Sequence, residues 1–212
     1  MSESFTAGVT AENISTLVQR IPRDLYTDSP QDAAKTVTNG LACVAAFARL
    51  ENDSYKPVAT ALLENDTLSV AWEYINAPVP TLRAAACEAM CALCSNSLID
   101  FKTPAVQKGA TTALMSSVTK YIGVAGHMHA NLLCLLGIGM LIVMDDAARE
   151  CIASSSPDIS TLLLCMRKHD DGDVQIIASD IFAVLVKNQK DKVAQTMRYA
   201  QKNMDANLKY TK

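Results

Sequence analysis

Apolar residues recur along this chain at intervals of three and four, the spacing of one face of an α-helix. Ile159, Leu162, Leu163 and Met166 show the pattern clearly. The polar stretch 169–173 then separates them from a second apolar segment that runs to about residue 188. The pattern predicts a pair of helices over 147–188.

The same pair recurs upstream at intervals of about 46 residues. A shift of 92 residues places Leu82 on Val174, and half that shift leads to a middle copy at Met128. A further shift leads to a first copy at Val37. We therefore predict one domain of residues 1–188 with four repeats, at about 10–50, 55–96, 104–143 and 147–188.

The longest apolar run, LLCLLGIGMLIVM, spans residues 132–144 and is followed by Asp145 and Asp146. Its length falls short of the ~18 apolar residues that a membrane span requires. A helix that is apolar on all sides is usually buried in protein. We therefore expect a buried helix and no membrane span.

Composition favours a helical chain, and the cysteines and the N-terminal residues favour a cytoplasmic location. Eight Gly and seven Pro in 212 residues are few, and aromatic residues are scarce, whereas turns and strands consume these types. The net charge of −3 disfavours a nucleic-acid binder. Seven cysteines, scattered through apolar segments, do not form a secreted disulfide framework. The N-terminal residues show no secretory signal, so we expect a cytoplasmic protein.

Residues 158–188, DISTLLLCMRKHDDGDVQIIASDIFAVLVKN, resemble an armadillo repeat: a Leu-rich helix, a polar turn, Val-Gln, and a helix with small residues. The other copies carry Leu82-Arg83 and Met128-His129 in place of Val-Gln. The resemblance covers about residues 10–188, and the HEAT repeat is the closest alternative. It implies an all-α fold, a right-handed α-α superhelix of about four repeats with a C-terminal helix.

In solenoids of the armadillo type, the last helix of each repeat lines a concave face. Nuclear-import adaptors of that family bind basic peptides there with a Trp and an Asn four residues later. This chain has no such pair at the matching positions, so binding of nuclear localisation signals is not implied. We expect instead a groove of apolar and acidic character that accepts an amphipathic helix. The matching positions are Cys43 and Phe47, Glu88 and Ala92, Cys134 and Ile138, and Asp180 and Val184.

The C-terminal stretch, residues 189–212, is basic and carries one apolar stripe at helical spacing, Val193, Met197, Met204 and Leu208. A solenoid needs a polar outer surface at its ends, and a capping helix meets that need. The alternative is a docking helix for a partner or an acidic surface.

Cys87, Cys91 and Cys94 follow helical spacing and invite a metal site. A structural zinc site needs four converging ligands, and the chain has no second CxxC pair. A continuous helix also spreads these thiols over about 10 Å. We expect small buried thiols instead.

The other candidate ligands are equally weak. His127 and His129 point to different sides of a helix, and Asp170, Asp171 and Asp173 lack the spacing of a calcium loop. Acidic residues before a helix favour its N-terminus through the helix dipole. No phosphate-binding loop or nucleophile motif is present, so we predict no catalytic residue, cofactor or metal.

The sequence therefore predicts a non-catalytic protein–protein interaction or scaffold module whose partners are other proteins, alone or as a subunit of a larger assembly. A cargo or peptide adaptor, or a chaperone-like binder, is the alternative. An enzyme that uses the cysteine helix is the weakest of the three hypotheses.

Overall fold

The computed structural model describes residues 10–22, 29–168 and 171–188, and it confirms an all-α protein. No strand occurs in these ranges, and the helices pack on one another. The first six are α1 (Ala11–Gln19), α2 (Pro30–Ala48), α3 (Lys56–Glu64), α4 (Thr67–Tyr74), α5 (Pro80–Ser95) and α6 (Lys102–Gln107), with a 3-10 turn at Asp53–Tyr55. The other five are α7 (Ala110–Tyr121), α8 (Met128–Met144), α9 (Asp146–Ser154), α10 (Ser156–Lys168) and α11 (Gly172–Asn188).

The chain divides into two compact units, residues 1–108 and 109–212. The predicted repeats at 10–50 and 55–96 fall within the first unit, and the repeat at 147–188 falls within the second. The predicted repeat at 104–143 crosses the division.

Local sequence explains where several helices begin. Pro30 and Pro80 occupy the first turns of α2 and α5. Proline lacks a backbone N–H, and in the first turn that N–H would have no partner within the helix. The Thr10 side chain accepts from the backbone N–H of Asn13 at the start of α1. The Asp145 carboxylate accepts from the N–H of Ala148 at the start of α9. These side chains satisfy helix donors that have no partner within the helix.

In the first unit, α5 is the central helix, with α2 and α4 packed on it, while α1 packs on α3. Arg83 on α5 is fully buried, and its Nε donates to the carbonyl of Ile75 at 3.1 Å. Asn96, just after α5, donates from Nδ2 to the carbonyl of Ala48 at 2.7 Å. The end of α2 is thereby joined to the end of α5.

In the second unit, α8 packs on α7 and on α11, and α10 also packs on α11. Gly139 of α8 allows a close approach, because a Cβ there would lie 3.9 Å from Cγ1 of Ile181. Asn131 is buried and donates from Nδ2 to the carbonyl of Tyr121 at 3.2 Å. The His127 ring stacks on the Tyr121 ring with centroids 4.2 Å apart. Polar and apolar contacts together fix the α7–α8 connection.

The same pairing occurs in both units. The helix predicted to end one repeat contacts the helix predicted to end the next, α2 with α5 and α8 with α11. Stacked helical repeats bury their apolar faces in this way. The packing within each unit therefore agrees with a helical-repeat organisation.

Candidate functional site

The predicted groove residues of the first unit lie on α2 and α5 and differ in exposure. Cys43 is exposed, Phe47 and Glu88 are half-buried, and Ala92 is buried. Oε1 of Glu88 lies 2.8 Å from Nη2 of Arg49, and both side chains are partly exposed. This ion pair bridges α2 and α5 at the surface and neutralises the acidic character predicted here.

In the second unit, the predicted residues of α8 lie on the wrong side of the helix. Cys134 and Ile138 are fully buried, so a partner cannot touch them. They face the interior of the second unit, in which α8 packs on α7 and α11. On α11, Asp180 is exposed and Val184 is half-buried. Use of Asp180 and Val184 by a partner stays a prediction.

The outer face of α8 is apolar. Leu132, Leu136 and Met140 are half-buried, and Val143 is 61% exposed. Their spacing of four, four and three residues places all four side chains on one face of the helix; we call this set the α8 face. The expected burial of α8 therefore holds for one side of the helix and not for the α8 face.

The sequence indicates that α8 has an apolar surface, although it does not indicate which residues form it. An apolar run of 13 residues is longer than one buried face requires, since a surface helix has polar residues on its solvent side. The neighbouring helix α11 adds an exposed apolar side chain, Ile176, which is also 61% exposed. Asp173 and Asp180 are exposed on α11 at helical spacing from Ile176, on the same face.

The cysteines of α5 pack in the interior. Cys87, Cys91 and Cys94 are buried, and none of the seven cysteines, all of which lie in the described ranges, forms a disulfide. Burial raises the pKa of Cys94 to about 12, and burial likewise raises the pKa of Cys165 to about 11. A thiol with such a pKa is held protonated, which disfavours both nucleophilic attack and metal binding.

No group of three or more His, Cys, Asp or Glu side chains among the described residues converges to hold a metal ion. His127 is buried against Tyr121, whereas His129 is exposed. The Asp171 carboxylate accepts from the N–H of Asp173 at 2.8 Å, at the start of α11. Asp171 thus has the helix-start role that the sequence predicts, while Asp170 lies outside the described residues.

A shallow surface cavity of about 380 Å³ lies between the start of α2 and the residues around the start of α5. Among its lining residues Lys35 is the only ionisable one. Such a lining offers no acid–base pair. Its lining residues are Pro30, Gln31, Ala34, Lys35, Thr38, Val79 and Thr81.

Two further predictions concern the membrane and the C-terminus. Within the described ranges, no helix combines the length and the apolar character needed to cross a membrane. The predicted helix 189–212, with Val193, Met197, Met204 and Leu208, lies outside the described residues.

Comparison with known proteins gives no match: no protein family, curated protein or solved structure is similar to the chain at a significant level. The armadillo resemblance therefore rests on the sequence pattern. The α8 face, defined by geometry alone, is the strongest candidate for a functional surface.

Proposed function

We propose that this protein is a non-catalytic interaction module with armadillo-like repeats, and that a partner protein binds the outer faces of its repeat-ending helices. The observation that carries the proposal is the α8 face. A helix that meets only water carries polar side chains on its outer side, whereas α8 presents Leu132, Leu136, Met140 and Val143. Of these four side chains Val143 is exposed and the other three are half-buried, and a contiguous apolar patch that reaches the surface marks an interaction site.

Two further observations support this function. The adjacent helix α11 carries a further exposed apolar side chain, Ile176, and an exposed negative charge, Asp180. An amphipathic helix with a basic flank would match such a surface.

The raised pKa of Cys94 supports a packing role for the cysteine helix and not a catalytic one. We propose a cytoplasmic location because the seven cysteines form no disulfide.

The test uses the tagged full-length chain and its single-residue variants in affinity capture, with partners quantified by mass spectrometry. We expect Val143→Glu and Ile176→Glu each to lower partner recovery at least about ten-fold, because a buried charge without a counterion is costly at an apolar interface. Both side chains are mostly exposed, so folding is retained, and circular dichroism checks this.

The matched control is Val124→Glu. Val124 is 46% exposed and lies in the same unit, in the connection before α8 and off the α8 face. Recovery with this variant should equal that of the unchanged protein. Equal recovery with all three variants would overturn the assignment of the α8 face.

A further inference from the structure

The α8 face has the dimensions of a site for one helix. It extends from Leu132 to Val143, which is about 16 Å along the helix axis at 1.5 Å per residue. Its four side chains are uncharged and apolar, and Ile176 lies on the neighbouring helix. Apolar anchors at intervals of three and four residues are the pattern by which one helix recognises another.

The sequence of the chain contains a segment with the complementary pattern. Between residues 189 and 212, Val193, Met197, Met204 and Leu208 recur at intervals of four, seven and four residues. The same segment has six basic and two acidic residues. An apolar stripe with basic flanks matches the apolar α8 face in character, and its charge is opposite to that of Asp173 and Asp180, which are exposed on the neighbouring helix α11.

Helix α11, which ends at Asn188, packs on α8. Helix α11 approaches α8 at Ile181, whose Cγ1 lies 3.9 Å from the Cβ position of Gly139. Asn188, the last residue of α11, is seven residues further on, which is about 10 Å along the helix. The 24 residues that follow are more than enough to cover a face about 16 Å long.

We infer that residues 189–212 bind the α8 face of their own chain when no partner protein occupies it, so that a partner must displace them. This inference rests on the proposed function, because it names a second occupant for the same face. An intramolecular occupant has the advantage of a high effective concentration, so even a modest contact keeps the face covered.

The test places p-benzoylphenylalanine at position 143 of the full-length chain, and mass spectrometry maps its photo-crosslinks. A mixture of isotope-labelled and unlabelled protein separates contacts within one copy from contacts between copies. We expect crosslinks to residues 189–212 of the same copy. The same probe at position 124 should give none to that segment. Crosslinks to a second copy, to another part of the chain, or to no residue would each overturn the inference.

A second measurement uses the double variant Met197→Lys and Met204→Lys in the crosslinkable chain. We expect about a ten-fold lower internal crosslink yield, since both anchors lose their apolar contact. The control pair, Gln195→Lys and Ala206→Lys, adds the same charge away from the stripe and should keep the yield. Equal loss with both pairs would overturn the role of the stripe.

The two proposals fail separately. Partner recovery that depends on Val143, together with no internal crosslink, would retain the proposed function and overturn this inference. An internal crosslink together with partner recovery that ignores Val143→Glu would retain the contact and overturn the proposed function.

Discussion

Two glycines inside long helices provide a direct test of the packing. Glycine in a helix interior costs about 1 kcal/mol relative to alanine, so Gly40→Ala and Gly139→Ala gain the same propensity term. At Gly139 the nearest atom to an added Cβ is Cγ1 of Ile181 at 3.9 Å, an ordinary contact. We therefore expect Gly139→Ala to raise the free energy of unfolding by about 1 kcal/mol.

At Gly40 the surroundings make the same replacement destabilising. An added Cβ would lie 2.7 Å from Cγ1 and 3.0 Å from Cδ1 of Ile21. Ile21 is 3% exposed, and its β-branched side chain has few rotamers to adopt. Overpacking of this kind costs about 1–3 kcal/mol. Because the gain in helix propensity offsets part of this cost, we expect Gly40→Ala to lower the free energy of unfolding by about 1 kcal/mol.

Urea unfolding followed by circular dichroism measures both effects against the unchanged chain. A double-mutant cycle isolates the contact: in an Ile21→Ala background both close atoms are absent, so Gly40→Ala should become stabilising. The packing argument would be refuted by equal stabilisation from both glycine replacements, or by zero coupling between positions 21 and 40.

Arg83→Ala should lower the free energy of unfolding by about 3 kcal/mol, since it leaves a cavity and removes the hydrogen bond from Arg83 to the Ile75 carbonyl, and Arg83→Met should cost less in the same urea assay because it fills the space. Asp100 accepts hydrogen bonds from Thr103 that lower its pKa, so its stabilising contribution is present above the unfolded value of 3.8 and is lost as the pH falls through the folded pKa. Burial raises the pKa of Asp158. The contribution of Asp158 to stability is therefore present below its unfolded pKa of 3.8 and is lost as the pH rises through the folded pKa. Urea midpoints of the two Asp→Asn variants across acidic pH should therefore change in opposite directions relative to the parent, and changes in the same direction would contradict these assignments. Thiol titration near neutral pH should show fast reaction at Cys43 and Cys151, the two exposed cysteines, with the other five reacting only after unfolding; fast reaction of all seven would contradict the burial.

The helices could be read from the sequence because their signals are local. The spacing of Ile159, Leu162 and Met166 is enough to predict α10, and Pro30 and Pro80 mark two helix starts. The orientation of α8 could not be read in this way. When every residue from 132 to 144 is apolar, hydrophobicity gives no preferred face, and only packing against α7 and α11 selects which side is buried.

The groove positions failed on α8 for the same reason. An error of two residues in the alignment to a family pattern turns a helix position by about 200°, from one side of the helix to the other. Cys134 and Ile138 therefore fall inside, whereas Leu132 and Leu136 reach the surface. On α11 the polar residues Asp173 and Asp180 mark the outer side, and both are exposed.

The apolar outer side of α8 also has a consequence for solubility. A surface that attracts a partner attracts another copy of the chain as well, so an uncovered α8 face favours self-association as the protein concentration rises. Coverage by residues 189–212 would suppress that association without a permanent loss of the surface. Solubility and readiness to bind would then be governed by one equilibrium, and a variant that opens the face would bind more readily but precipitate at a lower concentration.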